Sequence, residues 1–69
     1  MQPHQERVVT EKKELDEKLI KLKAFACLEN PIFFSLDPVE RLRLLRQLDI
    51  MEQYSMVLGE RIEAFSKVT

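Results

Sequence analysis

The sequence predicts an all-α fold: a helical hairpin of two long antiparallel helices, with a short structured connection and a short N-terminal segment, that assembles into a compact homo-oligomer. Three observations predict it. Apolar residues recur at gaps of three, four or seven through two long stretches, the spacing of one helical face. The chain is 45% hydrophobic and 33% charged with a single Gly, the balance of a folded, helix-rich protein and not of a disordered one. Finally, 69 residues make a single domain with a marginal core, and one Cys and one His exclude disulfide or metal stapling. Association with further copies is the stabiliser that remains.

Taken in order, 1–4 is the N-terminal segment, prone to fray, and it holds the only histidine, His4. Helix one covers 5–26, where no Pro or Gly interrupts and Val8, Leu15, Leu19, Leu22 and Ala26 form one face. Its outer side carries Glu14–Lys18 and Glu17–Lys21 in the favourable i,i+4 order. The connection, 27–37, breaks the periodicity at Asn30-Pro31 and gathers Ile32, Phe33, Phe34 and Leu36. It reads as a short helical turn whose aromatics plug the end of the hairpin, with ligand stacking as the alternative. Cys27, set among apolar neighbours, reads as a core-filling thiol and not a reactive one.

Helix two covers 38–66. Asp37 is placed to cap it, Pro38 takes the first helical position where its missing N–H costs nothing, and Glu40 suits a capping box. Its seam is Leu44, Leu48, Met51, Ser55, Leu58, Ile62 and Phe65, alternating gaps of four and three. Gly59 inside the helix costs up to about 1 kcal/mol. A second stripe, Ile50, Tyr54, Val57, Ala64 and Val68 with Arg61 in its row, lies about 100° around the axis. One partner helix cannot cover both stripes, so the second, together with Leu42 and Leu45, is expected to bury against other copies of the chain.

Composition and motifs exclude several functions. A net charge of −1 offers no global field for nucleic acid or anionic membrane. The cluster Arg41, Arg43 and Arg46 is diluted by Glu40, Asp49 and Glu52, so no DNA binding is expected. No apolar run approaches the ~20 residues of a bilayer span, and the first residues lack the basic and hydrophobic regions of a signal peptide. A soluble, cytoplasmic protein without membrane association is expected. Catalytic residues are none: the lone His4 sits in a segment prone to fray, no Gly-rich phosphate loop exists, and abundant carboxylates on charged helices read as solvated surface. The expectation is therefore a non-enzyme with no cofactor and no metal.

Binding is a different matter, because symmetric copies can build a pocket at their seam. The candidate anion contacts are Arg7, Lys12, Lys18 and Lys21 on helix one, Arg41, Arg43 and Arg46 after the second cap, and Arg61 within an apolar stripe. Arg61 either snorkels at the edge of an interface or meets an anion inside one. Tyr54, seven residues earlier on the same face, either joins it there or is core. His4 either stacks on a base or frays with its segment.

As a set, Gln5-Glu6-Arg7-Val8-Val9, Glu14-Leu15-Asp16-Glu17-Lys18, the Pro31-Ile32-Phe33 turn and, above all, Tyr54-Ser55-Met56-Val57-Leu58-Gly59-Glu60-Arg61-Ile62 resemble the phage anti-CBASS sponge family over nearly the whole chain. The resemblance implies a helical homohexamer in the host bacterial cytoplasm that sequesters cyclic dinucleotides, and in some members cyclic trinucleotides, without degrading them. An aromatic near the start of helix one and a lysine further along contact the ligand in that family. The nearest matching positions here are His4, which departs from the usual tyrosine, and Lys18. With Arg7, Tyr54 and Arg61, the last assigned to a distinct trinucleotide contact, these form the expected site. The alternative is an oligomeric helical adaptor or structural module that binds a host protein.

Overall fold

The computed structural model describes residues 2–27 and 29–65. Those residues form two long helices and a short one: α1 (Pro3–Phe25), α2 (Pro31–Ser35) and α3 (Pro38–Phe65), with no strand among them. The expected end of the second stripe at Val68, and of helix two at 66, fall outside the described residues.

The first boundary differs from the expected one. Helix α1 begins at Pro3, so His4 sits in a formed first turn and not in a frayed segment. Two local causes account for this. Proline at the first position is already set to helical φ, and the Gln5 side chain accepts a hydrogen bond from the Gln2 N–H at 3.0 Å. At the other end the Ala26 N–H closes on the Leu22 carbonyl at 2.7 Å and the helix stops. Cys27 follows immediately and is exposed, which corrects the expectation of a core thiol: it lies just past the end of α1, beyond the helical face that packs.

The connection behaves largely as its composition implies. Asn30 caps α2, its Oδ1 accepting from Ile32 N–H at 2.9 Å and Phe33 N–H at 3.2 Å. Phe33 is 1% exposed and meets the Phe25 ring edge-on at 5.8 Å, plugging the end of the hairpin. Phe34, by contrast, faces outward beneath the Arg41 guanidinium, 5.0 Å from its ring centre. Asp37 caps α3 through Val39 N–H at 2.8 Å, whereas Glu40 turns to Arg43 at 3.6 Å and does not close a capping box.

Helices α1 and α3 pack antiparallel, and the core between them is thin. Among the described residues its buried hydrophobics are Val8, Phe33 and Leu58, of which Phe33 and Leu58 are fully buried. The other seam residues, Leu44, Leu48, Met51, Ile62 and Phe65, are half-buried. The molecule is a rod of 52 × 16 × 15 Å. Its radius of gyration is 15.5 Å, against about 11 Å for a compact chain of this length. It exposes 5546 Å², about 1,000 Å² more than a compact monomer of its mass.

Candidate functional site

The structure sorts the cations into those that hold the hairpin and those that hold nothing. Lys12 is fully engaged: its Nζ lies 2.7 Å from Asp16 Oδ2 and donates to Ser55 Oγ at 3.2 Å, while Ser55 donates to Asp16 Oδ1. The three side chains close a polar triad inside the seam, and Ser55 is 8% exposed. The Lys12 hydrogen bond, then that of Ser55, holds the Asp16 carboxyl below its ordinary value against the opposing effect of burial. Lys23 bridges to Glu52 at 3.2 Å, Arg43 leans on Glu40, and Arg41 lies over Phe34. Lys12 and Arg41 thus leave the set of expected anion contacts, because nearby protein groups already occupy them.

Arg7, Lys18, Lys21, Arg46 and Arg61 make no ion pair with any described carboxylate. Helical geometry shows where they lie. At 100° per residue, His4, Arg7 and Lys18 fall within about 60° on one flank of α1. Tyr54 and Arg61 fall on one flank of α3, with Ile50, Val57 and Arg43. The contacts of Lys12 and Asp16 with Ser55, and of Lys23 with Glu52, fix how the two helices face each other. In that arrangement the two flanks open on the same side of the hairpin. All five expected site residues therefore share one face. Asp49, Glu52 and Glu60 lie toward the opposite side with Lys12 and Lys23, whereas Glu11 shares the flank of Arg7 and His4, so the face carries both signs of charge.

Along the rod the five do not meet at one point. Tyr54 is level with Lys18, and Arg61 is nearly level with Arg7, but His4 and Lys18 are about 21 Å apart along the helix axis. Tyr54 is 43% exposed, so it is not a core tyrosine of the single hairpin; Ile50 and Val57 beside it are also exposed. Arg7 lies on a shallow groove shared with Pro3, Glu6, Thr10, Glu11 and Glu14, whose three carboxylates make it a poor seat for a phosphate by itself. A second groove on the same face is lined by Arg43, Arg46, Gln47, Ile50 and Met51.

The family model described as Sequestin matches residues 2–64. This chain belongs to the Sequestin family. The match takes in α1, α2 and nearly all of α3, and with them all five expected site residues. The Sequestin name fits a second-messenger sponge, the kind of family the sequence resembles. It also accords with a sequestering role and a small-molecule ligand. No curated protein and no solved structure matches the chain. Among the described residues no helix is long and apolar enough to cross a membrane.

Two features of this Sequestin site escape a reading of spacing alone. The triad of Lys12, Asp16 and Ser55 was signalled by a serine interrupting an apolar seam and by a Lys–Asp pair at i,i+4, but only the packed hairpin joins them. The division between engaged and free cations likewise depends on which carboxylates the antiparallel packing brings near.

Proposed function

We propose that this protein is a phage-encoded sponge that binds cyclic dinucleotide second messengers, and cyclic trinucleotides at a further site, and so inhibits bacterial CBASS immunity without cleaving its ligand. In this reading it is not an enzyme. It works as a homohexamer in the host bacterial cytoplasm, needs no cofactor or metal, and binds neither DNA nor membrane.

The observation that carries the reading, beside membership of the Sequestin family, is that His4, Arg7, Lys18, Tyr54 and Arg61 share one face, with its cations left without carboxylate partners. Lys18 neutralises a dinucleotide phosphate, Arg7 supplements it, Tyr54 and His4 offer flat rings to the bases, and Arg61 serves the distinct trinucleotide contact. Because His4 and Lys18 stand about 21 Å apart in one chain, one ligand touches both only across a subunit seam, His4 meeting Lys18 of the partner subunit. A two-fold dinucleotide suits a two-fold seam, each copy giving one cation per phosphate. Two quantities support association. The excess exposure of about 1,000 Å² exceeds the ~800 Å² that one partner of a standard interface covers. Apolar side chains also stand on both sides of the rod, Ile50 and Val57 on the cationic one and Ile20 and Met56 on the other, which favours more than one interface per chain.

Calorimetry on the full chain with cyclic dinucleotides and cyclic trinucleotides, followed by recovery of the ligand after denaturation, tests this. At least one binds with Kd below about 10 μM, a free energy near −7 kcal/mol, and returns unchanged. No binding at that level, or a linearised product, would sink the reading. A second reading, an adaptor docking a host protein, is favoured by the exposed cluster Ile32, Phe34, Val39 and Leu42 at the connection. It predicts a stoichiometric protein partner whose binding is lost on Phe34→Asp, with no nucleotide bound.

A further inference from the structure

Helix α3 carries two apolar stripes about 100° apart, and either could face α1. The seam stripe contains Leu44, Leu48, Met51, Leu58 and Ile62; the other contains Ile50, Tyr54, Val57 and Ala64. On the α1 side Val8, Leu15, Leu19 and Leu22 recur at spacings that accept either stripe. Apolar contacts are non-directional, so they distinguish poorly between two rotations of one helix against another. The connection holds one end, where Phe33 packs on Phe25. From Phe25 to Lys12 the rod runs about 20 Å further, and the apolar pattern of that stretch is ambiguous.

What breaks the ambiguity is polar. Ser55 is the buried polar residue among those described, and it lies in the seam stripe of α3. Its hydroxyl donates to Asp16 and accepts from Lys12, so both of its hydrogen-bonding roles are filled by α1. Gly59, one turn on, leaves room for the same lysine: a Cβ there would stand 3.3 Å from Lys12 Cε. Turning α3 to bury its second stripe would strand the hydroxyl of Ser55, uncouple the carboxylate of Asp16 and replace Gly59 with bulkier groups. A single polar contact within an apolar seam is the best-attested device for choosing one packing over another.

We propose that the Lys12–Asp16–Ser55 triad is a positioning device that selects which stripe of α3 faces α1, and so keeps Tyr54 and Arg61 on the open face beside Lys18 and Arg7. Its consequence for ligand binding rests on the sponge reading above; its consequence for packing does not. The three residues touch no ligand and act only through the rotation of α3.

Nuclear Overhauser contacts from the single tyrosine test it, in the full-length protein with mixed labelling to separate contacts within and between chains. In the native protein and in Ser55→Thr, which keeps the hydroxyl, the Tyr54 ring gives no intrachain contact to the methyls of Leu15 or Leu19. In the apolar variant K12M/D16L/S55A the chain remains helical but such contacts appear. Any cyclic dinucleotide bound by the native protein then binds at least tenfold more weakly, although all five expected site residues are intact. Should the triple variant fail to fold, Ser55→Ala alone is read in the same way. A Tyr54 ring that stays outward in these variants, or unchanged ligand affinity alongside altered contacts, overturns the proposal. A native protein that binds no cyclic nucleotide overturns the sponge reading instead and leaves the Tyr54 contacts to decide on the triad.

Discussion

Replacing Leu58 with alanine tests how little interior this hairpin has. Leu58 is 0% exposed, and among the described residues only Val8 and Phe33 join it as buried hydrophobics. Truncating a buried leucine removes its transfer energy and leaves a cavity, together about 2–5 kcal/mol. For a domain of this size each kcal/mol moves Tm by roughly 4–8 °C, so a mid-range loss of about 3 kcal/mol lowers it by some 12–24 °C. Thermal melts followed by far-ultraviolet circular dichroism, at two protein concentrations, give the measurement. Leu42→Ala is the companion, since Leu42 is 65% exposed in the single chain. On a bare surface it costs no more than about 0.5 kcal/mol; where another copy covers it, the loss is larger and depends on protein concentration. A fall in Tm below about 4 °C for Leu58→Ala would refute the reasoning that this leucine centres the hairpin.

Gly59→Ala gains up to about 1 kcal/mol of helix propensity, while its new methyl pushes a tethered Lys12 by a few tenths of an ångström from 3.3 Å. The lysine stem is flexible, so a small net rise in Tm is expected, and a fall would show the tether to be stiff. Asp16→Asn removes a carboxyl whose folded pKa lies below 3.8; its stabilisation is present above that pH and is lost as pH falls through the lower folded value. The variant is therefore less stable than the native protein at neutral pH, and the two converge in acid, as urea titrations at several pH values will show. Val57→Asp places a charge on the exposed apolar stripe of α3. It lowers the mass seen by light scattering, and cyclic-nucleotide binding disappears with it although Lys18, Tyr54 and Arg61 are untouched.

Much of the fold was legible because helical periodicity is a strong signal: the seam of helix two, its start at Pro38 and the plug formed by Phe33 all follow from spacing and caps. The start of α1 was less so: Gln5 bonds back to the Gln2 N–H as the third residue of a capping box does, but a glutamine in Gln2's place is not among the residues that signal a cap. Cys27 misled because apolar neighbours in sequence do not ensure burial where a helix ends. The site was legible as residue types on helices but not as a partition. Lys12 and Lys18 look alike in the sequence, and only the antiparallel register gives one of them to Asp16 and Ser55 while leaving the other without a partner.

A rod 16 Å by 15 Å in section is barely wider than a helix pair, so a single copy has nowhere to enclose anything. If capture happens only between copies, its strength is not a property of the chain alone. Below the concentration at which copies find one another, the protein holds no messenger however many free cations it displays; above it, capacity rises with every added copy. Such a device has a threshold dose, and on the sponge reading how soon and how abundantly the protein is made matters as much as how tightly it binds.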